Sequence, residues 1–285
     1  VSATSAARPS TATPRSVPSD RCDVATGSDN LSFDAVAELY DSIRPGYPDE
    51  LNDAAWELAG LAPGDRMLEV GCGSGLATEP FARRGLAVTG LEPGPKLAAV
   101  ARRRLAGLDA RVLETSFEEW AVEEGAFRAV LAAQVFHWID PAVAYPRSAD
   151  ALAPGGHLLL LWHTHPKPFE GFFEESQEIY ARLMPESLSS NRAQATQGQG
   201  GVDARRADVE ASGRFGAVEA RTHDWRRPLS RDDYMRLLGT YSDHNALPED
   251  RRRRLLDELA ALIDTRYGGE VVRPYRTFLL VAPRR

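Results

Sequence analysis

Cysteine, lysine and long apolar runs are all scarce in this chain, and each shortage excludes something. Its 285 residues hold two cysteines, Cys22 in a polar stretch and Cys72 in a glycine-rich turn. Two are too few for a disulfide framework and suit a reducing, cytoplasmic setting. No apolar run approaches the roughly 18–20 residues that a membrane span needs, so no transmembrane helix and no membrane partner is expected. Lysine occurs only at Lys96 and Lys167, and arginine carries the rest of the positive charge, as a GC-rich genome would encode it. The 34 Lys+Arg are outnumbered by 41 Asp+Glu, for a net charge of −7. That balance counts against nucleic acid as a partner, since an acidic protein gains nothing from counterion release.

What is present is the composition of an ordinary globular protein, 43% hydrophobic and 26% charged. Residues 1–30 are mostly Ser, Thr, Ala and Pro; they are expected to be disordered and show no apolar core of a signal peptide. Phe33, Val36, Ala37 and Tyr40 then fall at i, i+3, i+4 and i+7, one face of a helix. It stops at Arg44-Pro45-Gly46-Tyr47-Pro48, and a second helix is predicted over 48–59. Further on, short apolar runs at 66–70, 87–91, 111–114, 127–133 and 157–162 alternate with helical patterns near 75–84, 95–106 and 141–152. This alternation predicts an α/β, doubly wound fold around a mostly parallel sheet. Past 166 the order loosens. The pattern there predicts a Phe-rich helix at 169–183, a polar loop at 185–201, a strand at 217–222, helices at 231–240 and 248–266, and a strand at 276–282. The arginine run 251–254 reads as a solvated helix face.

The chemistry starts at Met67-Leu-Glu-Val-Gly-Cys-Gly-Ser-Gly75, where a strand ends in Gly71-x-Gly73-x-Gly75 and a helix begins. Glycines allow the sharp turn and a close approach of backbone N–H donors to a ligand. A dinucleotide fingerprint is excluded because Leu76 follows Gly75, and a P-loop because no Gly-Lys-Ser/Thr follows. The next strand ends at Glu92, the acid position that bonds ribose hydroxyls in nucleotide sites. An adenosine-like ligand without a pyrophosphate fits both features.

The sequence resembles class I S-adenosylmethionine-dependent methyltransferases, within them the small-molecule group that includes the trans-aconitate methyltransferases. The resemblance rests on Tyr40-Asp-x-x-Arg44-Pro-x-Tyr47-Pro, Leu68 to Gly75, Gln134-Val-Phe-His-Trp138 with Asp140, and Leu152-Ala-Pro-Gly-Gly156. It implies a seven-stranded Rossmann-like sheet, a lid over 31–60, a core over 61–285 and an acceptor-side cap from about 166–205 and 228–268. S-adenosyl-L-methionine is the cofactor it implies. Gly71, Gly73 and Gly75 would pass beneath its methionine part, Glu69 would order the loop or the ammonium, and Glu92, with Pro93 beside it, would hold the ribose. The family's adenine-binding Asp is missing here, leaving Ser116 and Phe117 in its place. Arg128 replaces an Asp far from the strand end and is expected to matter little. Gln134 would face the methionine end, with Tyr40 and Arg44 from the lid, Arg44 gripping the cofactor carboxylate or a substrate acid.

The acceptor would be a small molecule methylated at O or N by in-line displacement. His137 is the candidate catalytic base, or else a structural hydrogen bond in its turn. Tyr47, Trp138, Tyr241 and His244 are expected around the acceptor, with His163 and His165 on one strand face and no metal motif. Cyclisation or elimination chemistry on the same cofactor, or a non-catalytic binding module, stays open at this point. A monomer or homodimer is expected.

Overall fold

The computed structural model describes residues 33–185 and 201–285. The expected disordered tail, Cys22 and nearly all of the expected 185–201 loop lie outside the described residues.

A 3-10 turn, Asp34–Val36, leads into α1 (Ala37–Ile43), and α2 (Asp49–Leu58) follows the Pro45–Pro48 strap. The core then alternates β1 (Arg66–Val70), α3 (Thr78–Arg83), β2 (Ala87–Leu91), α4 (Pro95–Arg104), β3 (Ala110–Leu113), β4 (Phe127–Ala133), α5 (Pro141–Ala151) and β5 (Leu152–Thr164). After α6 (Phe172–Leu183) and a helix through 201–211, α7, come β6 (Glu219–Ser230), α8 (Arg231–Leu238), α9 (Ser242–Asn245), α10 (Glu249–Arg266) and β7 (Glu270–Pro283). The seven strands form one sheet in the order β3-β2-β1-β4-β5-β7-β6. The β1 to β5 pairings are parallel; β7 runs antiparallel to both β5 and β6.

The central strands are apolar runs because both of their faces are covered. Alternate residues split between two layers. Leu68, Val70, Val130 and Ala132 pack with Ala144 and Ala149 of α5 and Val209 of α7. Met67, Ala129 and Leu131 pack with Leu51 and Ala55 of α2 and Phe81 of α3. A third cluster forms at the far end of β6 and β7, where α6, α8 and α10 bury Phe172, Leu237, Leu255 and Leu259 with Leu229 and Val271 around Ile43 of α1. Among the described residues no helix is long and apolar enough to cross a membrane.

Three expectations need correcting. Helix α7 was unforeseen, its pattern adjoining the Gly/Gln-rich stretch. Strands β6 and β7 are 12 and 14 residues long, far beyond the expected 217–222 and 276–282. They pair over twelve residues in an antiparallel ladder that runs on past the β5–β7 pairing, where one face meets water and polar residues dilute the strand signal. Arg128 also does more than expected: it donates to Ala59 O at 2.9 Å and to Gly155 O, clamping the end of α2 to the turn within β5.

Candidate active site

A cleft of about 720 Å³ opens above the C-terminal ends of β1, β4 and β5, between the α1 segment and the α6, α8 and α9 helices. This is where an open parallel sheet places its ligands. Its wall contains Tyr40, Arg44, Tyr47, Glu69, Gly71 and Gly73 together with Trp138, His165, Tyr180, Tyr241, His244 and Arg273.

The glycine loop has the conformation its composition requires. Gly71, Gly73 and Gly75 have φ of 61°, 55° and 83°, a region L side chains rarely adopt. A Cβ on Gly71 would lie 2.6 Å from Val135 Cγ2, whereas one on Gly73 would meet nothing within 4 Å, so Gly73 faces open cleft. Ser74 Oγ is buried without a hydrogen-bond partner among the described residues. Gln134, at the exit of β4, is the one non-glycine residue described with positive φ, 62°, and its Nε2 reaches His163 O at 3.4 Å. Strain of this kind collects where surrounding structure holds a side chain in place.

Two carboxyls underpin the loop. Glu92 is 5% exposed and accepts the Gly73 N–H and the Gly94 N–H, each at 2.9 Å. Burial raises its pKa, against the two backbone bonds that lower it. Glu69 is 1% exposed, bonded to the Thr78 hydroxyl, and burial lifts it to about 8, with Thr78 opposing and Glu92 adding. At neutral pH Glu69 is therefore mostly a neutral acid beneath the loop, and a cationic ligand group beside it would draw the proton off.

The α1 segment is tied down by arginines. Arg104 of α4 donates to Ser74 O at 3.1 Å, Glu79 at 2.7 Å and Asp41 at 2.7 Å, joining the loop, α3 and α1. Arg44 sends Nε to Thr240 Oγ1 and Nη2 to Thr240 O, both at 2.8 Å, with its Cζ over the rings of Tyr40 at 4.9 Å and Tyr241 at 4.6 Å. It latches the strap to the α8–α9 turn, a job that sequence spacing did not reveal.

For the residues expected around an adenosine the structure departs from expectation. Glu92, Pro93, Ser116 and Phe117 are not part of the cleft wall. Phe117 is 3% exposed, packed in the core beside Trp120 and beneath Arg147, which donates to Phe117 O at 3.0 Å. Ser116 Oγ accepts Glu119 N–H at 3.2 Å and caps a turn. Phe117 is thus a core side chain and Ser116 a turn residue. A Phe beside Ser in a loop carries no signal for which way the ring turns.

At the acceptor end His137 is poorly suited to be a base. Its Nδ1 accepts the Trp162 indole N–H at 3.3 Å, which puts its own proton on Nε2. Burial, then Arg205, lowers its pKa to about 4. It presents a donor and holds its turn, with Trp138 beside it at 5.1 Å between ring centroids. His163 and His165 continue the β5 face that buries Leu159 and Leu161, so both reach the cleft. Tyr47 stacks on His163 at 4.5 Å. Thr277 Oγ1 accepts Trp225 Nε1 at 2.8 Å and lies 2.7 Å from His163 Nδ1. Burial, then Arg44 and Arg273, lowers His163 to about 3, and burial lowers His165 to about 4. Both rings are neutral linings. Among the described residues no three His, Cys, Asp or Glu side chains gather as a metal site.

Sequence reasoning missed Arg273. Its Cζ lies 4.9 Å from the Tyr275 ring, 5.8 Å from Tyr241 and 5.9 Å from Phe173. Nε of Arg273 and Oη of Tyr275 are buried without hydrogen-bond partners among the described residues. A signal existed: Arg273, Tyr275 and Thr277 alternate on the face that goes on to bury Leu279 and Val281.

Comparison with known proteins agrees with the fold and the loop. Residues 68–160 match the methyltransferase domain family. An uncharacterized methyltransferase of Mycobacterium tuberculosis is 39% identical over 153 residues, 54% of this chain and 60% of that protein. The chain thus spans about 60% of the length of that curated relative. The YcgJ protein of Bacillus subtilis shares the fold with a TM-score of 0.52 at 17% identity, covering 84% of this chain and 99% of the other. So does Haemonchus contortus phosphoethanolamine N-methyltransferase 2, solved with S-adenosyl-L-methionine, with a TM-score of 0.50 at 17% identity and coverage of 88% and 57%. Residues 68–160 thus match a methyltransferase domain, on a sheet whose fold these solved structures share.

Proposed function

We propose that the chain moves a methyl group from S-adenosyl-L-methionine to an O or N atom of a small-molecule acceptor, in a cleft lidded by the α1 segment. The observation that carries this reading is the open, left-handed Gly73 on a loop held by Glu92, in the wall of a cleft that is also lined by aromatic rings. The residues fit the cofactor where the loop leaves room and donors: Gly71, Gly73, the unpartnered Ser74 hydroxyl and Gln134 around its methionine end, with Glu92 behind Gly73 holding the loop in place. When bound, S-adenosyl-L-methionine supplies an electrophilic methyl on sulfur.

The chain's own part is positioning. Arg44 and Arg104 hold the lid against the α8–α9 turn and the loop, which excludes water and fixes the two ends of the cleft relative to each other. In-line displacement draws most of its rate from such alignment. Glu69 responds to the positive charge that arrives above it by giving up its proton. His137 supplies a donor and an anchored turn.

The test is incubation of the full chain with methyl-labelled S-adenosyl-L-methionine and a metabolite mixture. Label in an acceptor together with equimolar S-adenosylhomocysteine is expected. A fragmented cofactor without S-adenosylhomocysteine would assign cyclisation or elimination instead, and an intact cofactor would refute the transfer.

A further inference from the structure

Three side chains at the acceptor end form a hydrogen-bonded chain to which His137 does not belong. Asp243 Oδ1 lies 2.8 Å from His244 Nδ1, and His244 Nε2 lies 3.1 Å from Tyr180 Oη. The carboxylate can only accept, so Nδ1 carries the imidazole proton and Nε2 presents its lone pair to the tyrosine hydroxyl. Asp243 also accepts the His244 backbone N–H at 2.8 Å, which fixes the pair within α9. The His244 side chain is 6% exposed and that of Asp243 is 57% exposed, so the carboxylate keeps contact with water. Partial burial pushes the Asp243 carboxyl up, but its bonds to His244 outweigh this and hold it below the usual range.

The surroundings point the same way. Tyr180 lines the cleft, as does Tyr234. Arg273 faces Tyr180, Tyr234, Tyr241 and Tyr275 and forms no ion pair with a carboxylate among the described residues. Its Nε is buried without a partner while the residue lines the cleft, so an anion there would give the guanidinium the counterion it lacks.

Resting on the methyl-transfer reading above, we propose that Asp243, His244 and Tyr180 form the proton outlet of the acceptor site, and that the acceptor is a hydroxylated aromatic or enolic molecule whose oxygen ionises beside Arg273. The acceptor O–H bond breaks and its electron pair stays on oxygen. The proton passes to Tyr180 Oη while Tyr180's own proton passes to His244 Nε2, leaving an imidazolium paired with Asp243. Tyr180 is the group that touches the acceptor; His244 and Asp243 are positioning residues that act through it. A carboxylate acceptor would arrive ionised and need no outlet. The rings of Phe173, Tyr241 and Tyr275 suit a flat body. The charged and titratable groups facing His244 and Tyr180 are Asp243 on α9, Tyr241 before it, Tyr234 on α8 and Arg273 on β7.

The test uses 4-nitrophenol, whose phenolate absorbs visible light, titrated with the full chain in the presence and absence of S-adenosylhomocysteine at a pH below the probe's own midpoint. Bound probe is expected to be ionised about ten-fold more than free probe. His244→Gln, Tyr180→Phe and Arg273→Gln should each remove that excess while the Kd for S-adenosylhomocysteine stays within about two-fold. Should His244→Gln fail to fold, Asp243→Asn, at a half-exposed side chain, carries the same expectation. A probe that does not bind, or binds with its free-solution ionisation, or keeps its excess in these variants, overturns the proposal. Failure of the wild type to bind S-adenosylhomocysteine while the probe still ionises would instead overturn the methyl-transfer reading.

Discussion

Glu69 makes the protein less stable as pH rises, and the size of the effect follows from its surroundings. The carboxyl is 1% exposed at the end of β1 and burial carries it from 4.5 to about 8, despite the Thr78 hydroxyl bonded to it. A folded-state pKa above the unfolded one means that the folded chain keeps a proton the unfolded chain has lost. Stability from this group is complete below the unfolded value and falls as pH climbs, by about 1.4 kcal/mol per pH unit, levelling above pH 8. The total comes to about 5 kcal/mol. Glu69→Gln keeps the shape of the neutral acid and does not titrate. Urea unfolding of both proteins at pH 5, 7 and 9 should therefore show the variant gaining on the wild type by about 4 kcal/mol across that range. Parallel stability curves would refute a buried neutral acid beneath the loop. A matching effect is expected on ligand binding: if a cationic group draws the proton off, titrations in buffers of different ionisation enthalpy should show proton release at pH 7, and none in the variant.

Other substitutions separate the loop, the core and the cleft. Gly71→Ala forces a Cβ to 2.6 Å from Val135 at φ 61°, and thermal unfolding should register a loss of about 2–4 kcal/mol. Phe117→Ala should cost about 3–5 kcal/mol of stability but leave S-adenosyl-L-methionine affinity nearly unchanged in calorimetry, because the ring belongs to the core. Arg104→Ala removes three tethers between α1, α3 and the loop, so hydrogen exchange of residues 37–43 should quicken while the sheet amides keep their protection. For His137→Gln, a pH–rate profile of the same shape as the wild type is expected, as a group at about 4 does not titrate in the working range.

The strands legible in the sequence are those buried on both faces. The bounds of β1, β2 and β4 can be read directly, since Met67-Leu68, Val88 and Val130-Leu131 lie in short apolar runs with turn residues at their ends. The β6–β7 ladder could not be read in full, because exposed Arg221, Asp224 and Arg226 break up the half-buried residues of β6 and resemble a loop. The glycine loop was legible for a local reason: three positive φ values require three glycines at fixed spacing. The acceptor end is assembled from α6, the α8–α9 turn and β7, so no spacing in the chain ties Tyr180 to His244 or Arg273 to Tyr241. Arginine abundance hid the same information. Arg44, Arg104, Arg128, Arg147 and Arg273 each have a specific place in the structure, yet in the sequence they stand among many.

Isothermal titration of the full chain with S-adenosyl-L-methionine, in the wild type and in Glu92→Ala, tests the central claim most directly. The account predicts one-to-one binding by the wild type. The variant should bind at least about 100-fold more weakly, because Glu92 fixes the loop by accepting the Gly73 and Gly94 N–H groups in charge-assisted bonds worth about 1.5–3 kcal/mol each. No heat of binding in the wild type, or equal affinity in both proteins, would contradict it.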